Sequence, residues 1–401
     1  MRRVALVSAL IIITIAAVVV SLIVLPEKSE AEIISAKLNG RADEARSLSF
    51  RYRIENKGGD PYPITEGRVS ILFPDHYLNV YEMEFEPGQP RVPGIMVQKG
   101  REFATVELVF GAKIESATVK RYRNLPPMRG EHYYMTGSMF FGNGAYAYAM
   151  DSFIAKGQAR HKGEQTVDGV DCYLIDVKRA TPDGAEAKVF LDKETVYPRR
   201  LEERSFDQTL VTTIYDLELN PNLAEKDFEV DIPKTLQIDP SLCKEESVDY
   251  GCTEVGIDEV EILAGFKPVC PEIEGFELAG VFWTNPAAFG PGADNPAYHV
   301  YYKECYLVYR NPAGNRQIEI CEAREYRGYD ESSGAVGLAL EGDASSSPCV
   351  NEEIKTERGT IYPSSHMDAL RAGARKGELK FKVSGDVERR ELQAIMSALL
   401  E

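Results

Sequence analysis

Few residues of this 401-residue chain are arranged in a pattern that could support catalysis. Ser241 and Lys244 match the Ser-x-x-Lys pattern of penicillin-binding enzymes, but they lie in a stretch rich in Pro and Cys, and the partner motifs are missing. The sequence contains no P-loop, Gly-x-Ser-x-Gly or His-Glu-x-x-His motif, and its five His residues are isolated from one another. We therefore expect a protein that is not an enzyme and that holds neither a metal ion nor another cofactor.

Cysteine is the second residue type that could do chemistry here. Six of the seven cysteines fall in the last 160 residues of the chain, whereas Cys172 stands alone on a predicted strand and is given no role. An even cluster is typical of a disulfide framework in an oxidising, extracytoplasmic compartment. The predicted disulfide residues are Cys243, Cys252, Cys270, Cys305, Cys321 and Cys349.

One cysteine pair can be predicted from the pattern of a hairpin. Cys305 and Cys321 lie on alternating segments that flank the turn Asn311–Asn315, at equal distances from its centre. Directly opposed residues of an antiparallel pair lie within disulfide range, so we expect a Cys305–Cys321 bond. The pairs Cys243–Cys252 and Cys270–Cys349 are guesses among the connectivities that remain.

The middle of the chain, from Met135 to Met150, is rich in Gly, Met and aromatic residues. Such side chains adapt to irregular apolar partners, so this segment could line a groove for a lipid or form its lid. The alternative is that they fill the core beneath a sheet. The candidates for the groove are Met135, Met139, Phe140, Phe141, Tyr146, Tyr148 and Met150.

The N-terminus predicts where the protein lies in the cell. Arg2 and Arg3 precede an uncharged run, Val4–Leu25, which has the ~20 residues that a membrane-spanning helix needs. Because positive residues stay in the cytoplasm, we expect a single-pass protein of the cell membrane with most of its mass on the extracytoplasmic side. A long signal peptide that is cleaved is the alternative. The net charge of −17 makes nucleic acid an improbable partner.

The domain plan follows from the changes in pattern along the chain. We expect a cytoplasmic stub and transmembrane anchor over 1–25, a tether over 26–45, a mainly β domain over 46–238, a linker over 239–254 and an α+β domain over 255–401. Asp168-Gly169 between alternating runs predicts a hairpin. The last domain should contain a helix around Ile257–Ala264 and a terminal helix with Leu392, Ile395, Met396 and Leu399 on its apolar face.

Two stretches of the mainly β domain resemble a known superfamily. Glu164–Val177, with Asp168-Gly169 at its turn, and Lys188–Arg200 look like the central strands of LolA-like domains, which include LolA, LolB and RseB. The resemblance implies an antiparallel half-barrel that curls around a helical lid and accepts acyl chains on its concave apolar face. The smaller, disulfide-containing α+β domain resembles one of unknown function that is often appended to LolA-like domains.

Two hypotheses about function follow. In the first, the chain is a membrane-anchored, non-catalytic binding protein that holds a lipid, acyl chain or lipoprotein in the half-barrel groove. In the alternative, it is an RseB-like envelope sensor that binds another membrane protein, such as an anti-sigma factor. A continuous apolar cavity of several hundred Å³ would favour the first, and an exposed apolar patch between the domains would favour the second.

Overall fold

The computed structural model describes two β-sheets joined along the chain, and all of their strand pairs are antiparallel except one at the edge of the first sheet. The described residues are 30, 33–34, 36–37, 40, 44–57, 63–86, 88–111, 113–127, 159–178, 186–205, 208–284, 302–325, 354–356, 359–366, 369–376, 379–385 and 389–401. The seven predicted groove residues between Met135 and Met150, and also Cys349, lie outside them. The prediction of a groove or lid in that segment therefore stays a prediction.

The first sheet has twelve strands, and it confirms the predicted mainly β architecture. Its strands are β1 (Ser47–Asn56), β2 (Ile64–Leu72), β3 (His76–Glu84), β4 (Val92–Lys99), β5 (Glu102–Phe110), β6 (Ile114–Arg123), β7 (Ala159–Val167), β8 (Val170–Lys178), β9 (Glu186–Asp192), β10 (Pro198–Ser205), β11 (Gln208–Leu219) and β12 (Cys243–Asp249). Their order in the sheet is β12-β6-β5-β4-β3-β2-β1-β11-β10-β9-β8-β7. Neighbours in sequence are mostly neighbours in space, as an antiparallel meander requires.

The predicted hairpin at Asp168-Gly169 is confirmed between β7 and β8. Both turn residues have positive φ, 48° at Asp168 and 82° at Gly169, which is the conformation of a two-residue turn that matches the twist of the strands. Val167 and Val170 face each other directly across it.

Apolar side chains cover both faces of the first sheet near β4, β5 and β6. One face belongs to the main hydrophobic cluster, which also contains residues of the second sheet. The other is covered by the segment after β11, which includes a short 3-10 helix (Glu225–Phe228) and α1 (Ile232–Thr235), capped by Asp231. This second apolar cluster consists of Ile95, Val97, Ala104, Ala117, Val119, Phe228, Ile232, Leu236 and Ile238.

The stretch 239–254, predicted as a linker, connects the two sheets through strands. Its first part is β12, which pairs parallel to β6, and β13 (Thr253–Glu254) then opens the second sheet. The side chains of β12 are mostly exposed and polar, so the sequence shows no apolar alternation that would have marked a strand.

The second sheet has eight strands with two helices packed against it. After β13 come β14 (Glu277–Thr284), β15 (Tyr302–Arg310), β16 (Gln317–Glu325), β17 (Ile354–Thr356), β18 (Gly359–His366), β19 (Ala369–Lys376) and β20 (Leu379–Gly385), in the order β13-β14-β15-β16-β20-β19-β18-β17. The helices are α2 (Ile257–Ala264) and α3 (Arg389–Leu400). Both were predicted, and the four apolar positions predicted for the terminal helix are buried.

Described residues of the two sheets contact each other directly. Arg310, at the end of β15, donates a hydrogen bond of 2.8 Å from Nη2 to Oδ2 of Asp75, in the turn between β2 and β3. Asn315 donates from Nδ2 to the backbone oxygen of Ala45 over 2.9 Å. The two sheets are therefore held together by the shared main cluster and by these two hydrogen bonds.

The predicted disulfide between Cys305 and Cys321 is wrong. The hairpin of β15 and β16 pairs Cys305 with Glu322 and Tyr306 with Cys321, one residue away from the predicted register. A shift of one residue turns a side chain to the opposite face of the sheet, so the two thiols point away from each other. The hairpin loop has one residue more than the sequence suggested, because Arg316 belongs to it.

The remaining disulfide predictions are also wrong for the cysteines that the structure describes. Cys243 and Cys252, which were paired by guess, are both free thiols, and so is Cys270, the guessed partner of Cys349. Cys172 is also a free thiol and is buried, as a core residue on a strand would be.

The described part of the predicted tether is packed against the first sheet. The described positions from Glu30 to Glu44 are helical, and Ile34 is fully buried in the main cluster. Lys37 donates a hydrogen bond of 3.0 Å from Nζ to the hydroxyl of Tyr173 on β8. Among the described helices, none has the length and apolar character needed to cross a bilayer, and the run Val4–Leu25 lies outside the described residues.

Candidate functional site

The first sheet divides between β4 and β5. These strands pair only from Met96–Thr105 to the turn at Lys99–Glu102, although β4 remains paired to β3 as far as Val92. On the other side, β5 remains paired to β6 as far as Phe110. Both strands therefore continue beyond the last pair while separating from each other, which opens a fork in the sheet.

A proline explains why the pairing is not resumed beyond the fork. The two-residue turn between Lys99 and Glu102 makes them a hydrogen-bonded pair, so every second residue back along β4, including Ile95 and Pro93, directs its backbone polar groups towards β5. Pro93 has no N–H to donate there. At the fork, the backbone oxygen of Ile95 accepts from the N–H of the residue after Thr105, as the last pair requires, and the hydroxyl of Thr105 also donates to it over 2.9 Å.

The fork encloses a cleft with a cavity volume of about 660 Å³. Most of its lining side chains are apolar, polar and apolar atoms share its exposed wall about equally, and the residues come from both separated strands and from the end of β3. The lining residues are Tyr81, Met83, Phe85, Gln89, Pro90, Val92, Pro93, Gly94, Val106, Leu108, Phe110 and Gly111. A cavity of this size and character is in the range of pockets that bury small apolar ligands.

The two walls of the cleft rest on different hydrophobic clusters. Tyr81 packs against the main cluster, whereas Val106 and Leu108 pack against the second apolar cluster. Burial raises the pKa of the Tyr81 hydroxyl above its ordinary value. The cleft thus lies between the two hydrophobic clusters and is open to solvent.

The rim of the cleft beside β3 and β4 is acidic. The guanidinium of Arg91 lies 2.7 Å from Glu66, 3.6 Å from Glu82 and 3.5 Å from Glu84, measured between the nearest nitrogen and oxygen atoms. The hydrogen bond from Arg91 is the largest influence on Glu66 and lowers the pKa of its carboxyl. Arg53 also binds Glu66, so three carboxylates share two guanidinium groups and leave an excess of negative charge.

The Tyr81 ring lies directly over Gly94, where only a residue without a side chain leaves room for it. A Cβ atom at position 94 would lie 2.3 Å from Cζ of Tyr81, far inside van der Waals contact. We expect Gly94→Ala to displace the ring and to lower the free energy of unfolding by about 1–3 kcal/mol, measured by denaturant titration. Gly40→Ala is the control, because a Cβ there meets nothing within 4 Å. If both variants unfolded alike, the ring would not be constrained by Gly94.

A second groove, of about 750 Å³, lies where the 3-10 helix after β11 passes the ends of β4, β5 and β6. Its charged side chains are largely paired within the protein. Lys99 binds Glu229 over 2.6 Å, and Arg121 binds Glu245 over 3.2 Å. These ion pairs neutralise the groove and favour a structural role over a binding one.

The sequence pointed to a different part of the chain for binding. None of the residues that line the cleft was among the predicted groove candidates. The signal that could have found the cleft is Pro93 near the start of β4, because proline within a sheet is confined to strand starts, bulges and free edges. Among the described residues, no group of three or more His, Cys, Asp or Glu side chains is placed to hold a metal ion.

The fold can be compared with that of known proteins. This chain is similar in fold to MucB. A structure of the Pseudomonas aeruginosa MucA/MucB complex matches with 13% sequence identity and a TM-score of 0.30, over 90% of this chain and 96% of that one. No family model matches the sequence, and no curated protein matches it.

Two shorter proteins match about half of this chain. They are LprF from Mycobacterium bovis, with 12% identity, a TM-score of 0.30 and coverage of 48% of this chain and 95% of its own, and a putative outer membrane lipoprotein-sorting protein domain from Vibrio parahaemolyticus, with 14% identity, a TM-score of 0.27 and coverage of 51% and 99%. MucB and the lipoprotein-sorting domain are of the kind that the sequence resemblance names. At such low identities and TM-scores, these likenesses assign neither a ligand nor a partner to this chain.

Proposed function

We propose that this chain is a non-catalytic binding protein that holds a lipid, an acyl chain or the acylated end of a lipoprotein in the cleft between β4 and β5. The observation that carries the proposal is the cleft itself, with about 660 Å³ of volume and a lining of mostly apolar side chains. Acyl chains bind by concave apolar burial, at about 0.8 kcal/mol for each buried methylene group. Exposed Phe85, at the mouth of the cleft, offers further apolar surface to such a ligand.

The proposed site of action is the extracytoplasmic face of the cell membrane. Its support is the uncharged run Val4–Leu25 behind two arginines. The helical residues from Glu30 onwards pack on the first sheet, so only a few residues separate the proposed anchor from the binding domain. A ligand would then be taken up or handed on close to the membrane.

The state of the thiols supports a role without covalent chemistry. Burial raises the pKa of Cys172, Cys252 and Cys270 to about 11 and that of Cys305 further still. The thiolate is the reactive form of cysteine, and at such pKa values it is scarce at neutral pH. These cysteines are therefore poor nucleophiles.

The alternative, an RseB-like module that binds an envelope protein, predicts an exposed apolar patch between the two domains. The described residues of both sheets instead share one buried cluster, and Arg310 and Asp75 join them at the surface. We therefore place the lipid hypothesis first and keep a protein partner as the outcome that its failure would favour.

A charged residue in the cleft should abolish lipid binding. We expect purified protein to bind a pyrene-labelled long-chain fatty acid, and Leu108→Arg to weaken this binding at least tenfold, because a guanidinium in an apolar cleft opposes an acyl chain. Val109→Arg is the matched control, since the neighbouring side chain is more than half exposed and does not line the cleft. Fluorescence titration measures both, and lipid extraction with mass spectrometry identifies any lipid that co-purifies.

The result that overturns the proposal is equally concrete. If the protein bound neither the fatty acid nor a diacylated lipopeptide, or if both arginine variants bound as the unmodified chain does, the cleft would not be a lipid site. Crosslinking in the intact envelope would then be the way to find a protein partner.

A further inference from the structure

We propose that the cleft takes an extended peptide as an additional strand on the free edge of β5, so that the ligand is an acylated peptide rather than a free lipid. This inference rests on the proposed function and narrows its ligand class. The peptide part would bind β5 through backbone hydrogen bonds, and its acyl chains would occupy the apolar volume beside it.

The edge of β5 that faces the cleft carries backbone N–H and C=O groups without a described partner. The alternation that starts at the Lys99–Glu102 pair makes Val106 and Leu108 direct their N–H and C=O groups towards β4. The Met96–Thr105 pair uses the N–H of Val106, which donates to Ile95, but no described residue of β4 pairs with the C=O of Val106 or with either backbone group of Leu108. Phe103, Thr105 and Val109 direct theirs towards β6, where the pairing is intact. The free groups thus lie along one side of one strand, at the spacing that an added strand requires.

An acyl chain alone would leave these backbone groups unsatisfied. An apolar ligand in the cleft would exclude water from the C=O of Val106 and from the N–H and C=O of Leu108 without offering a partner, and an unsatisfied buried backbone group costs about 1–3 kcal/mol. An extended peptide supplies both acceptors and donors at alternate residues and places its other side chains in the cleft, which is the mode of strand addition.

The opposite edge decides which strand receives the peptide. On β4, Pro93 lacks an N–H, and the backbone oxygen of Ile95 already accepts from Thr105. Fewer groups therefore remain free on β4 than on β5. The peptide would bond to β5 and lie against the side chains of Val92 and Tyr81 without bonding to their strands.

The acidic rim of the cleft favours a bound peptide that carries positive charge. Glu66, Glu82 and Glu84 surround the single guanidinium of Arg91, and Glu82 is more than half exposed. Lysine or arginine side chains of a bound peptide that point out of the cleft would reach this rim. The peptide that fits best is therefore one that alternates apolar and basic residues.

The experiment uses three probes on the full chain: an eight-residue peptide of alternating Val and Lys with an N-terminal palmitoyl group, the same lipopeptide with its valine amides N-methylated, and palmitate alone. We expect the first to bind at least tenfold more tightly than the other two, measured by calorimetry. N-methylation leaves the side chains and the acyl chain in place and removes only the backbone donors. Equal affinity for the two lipopeptides would overturn the inference.

A pair of variants at one position separates the backbone from the side chain. Leu108→Ala and Leu108→Pro both remove the apolar side chain, but only the proline removes the N–H that faces the cleft. We expect the lipopeptide to bind the proline variant at least tenfold more weakly than the alanine variant, while palmitate binds the two alike. If the lipopeptide bound both variants equally, no strand would be added.

Hydrogen exchange keeps the test independent of the variants' folding. In the unmodified chain, the amide of Leu108 should exchange at least tenfold more slowly with the lipopeptide bound than with palmitate bound. Exchange that is equal in both complexes would overturn the inference, yet palmitate binding would leave the proposed lipid site standing. Failure of every probe to bind would overturn the proposed function itself.

Discussion

Replacing Glu322 with Gln is expected to remove most of the loss of stability that the protein suffers between pH 4.5 and about 8. Glu322 lies on β16 with no exposed surface, between Cys305 on β15 and Phe381 on β20, which are both buried. Among the described residues, only the backbone N–H of Val269 donates to its carboxyl, at 3.0 and 3.1 Å to the two oxygens. Burial outweighs this bond and raises the pKa of Glu322 from 4.5 to about 8.

The raised pKa fixes the sign of the effect. Between pH 4.5 and about 8, the folded protein keeps the proton on Glu322 while the unfolded chain has released it. The unfolded state therefore binds fewer protons, and the free energy of unfolding falls as the pH rises through this interval. The shift from 4.5 to about 8 corresponds to about 5 kcal/mol.

Urea titrations of both proteins from pH 4.5 to 8.5 measure the effect. The difference in unfolding free energy, Glu322→Gln minus the unmodified chain, should rise by about 5 kcal/mol over this range. Groups that titrate in both proteins cancel in this difference, and so does any constant penalty for burying the amide. A difference that stays flat with pH would show that Glu322 is ionised in the fold.

Removing the carboxylate of buried Asp192 should destabilise the first sheet by about 3–5 kcal/mol, because it leaves the partly buried guanidinium of Arg199 without this partner. Oδ1 of Asp192 accepts from the backbone N–H groups of Glu194 and Thr195 at 2.8 and 3.0 Å. Oδ2 accepts from Nε and Nη2 of Arg199 at 2.9 and 2.7 Å. The carboxylate therefore holds the turn between β9 and β10 together.

The test compares Asp192→Ala with the double variant Asp192→Ala/Arg199→Met by denaturant titration at neutral pH. The double variant should recover a large part of the lost stability, since it no longer buries an unpaired charge. Burial of Asp192 raises its pKa, but the donors at Thr195, Arg199 and Glu194 outweigh burial and lower it overall. The stabilisation by this carboxylate is thus present above its ordinary pKa and fades as the pH falls through the lowered value. Additive losses in the double variant would contradict the ion-pair account.

The same turn shows what the sequence could predict. The stretch Lys188–Arg200, which carried the resemblance to LolA-like domains, contains Asp192 and Arg199, and their role is to close a turn. A motif that specifies a turn specifies fold, so the strands around it were predicted well. It carries no information about a ligand, since neither residue lies near the cleft.

The register of the second sheet and the fork in the first could not be predicted for a different reason. Alternation marks a strand but not its partner, so the loop of β15 and β16 was counted one residue too short and Cys305 was placed opposite Cys321 instead of Glu322. The fork arises because two strands stop pairing while each remains paired on its other side. Only Pro93 hinted at this, and a single proline does not say how far the strands separate.

The parallel pairing of β12 with β6 has a mechanical consequence. The chain leaves this strand at Asp249 and enters β13 of the second sheet only a few residues later. A force that draws the second sheet away along the axis of β12 would load all of the pairs from Cys243–Ala117 to Asp249–Arg123 in shear. Shear requires these bonds to break together, whereas peeling breaks them one after another. The connection between the two sheets therefore resists tension along this strand far better than tension across it.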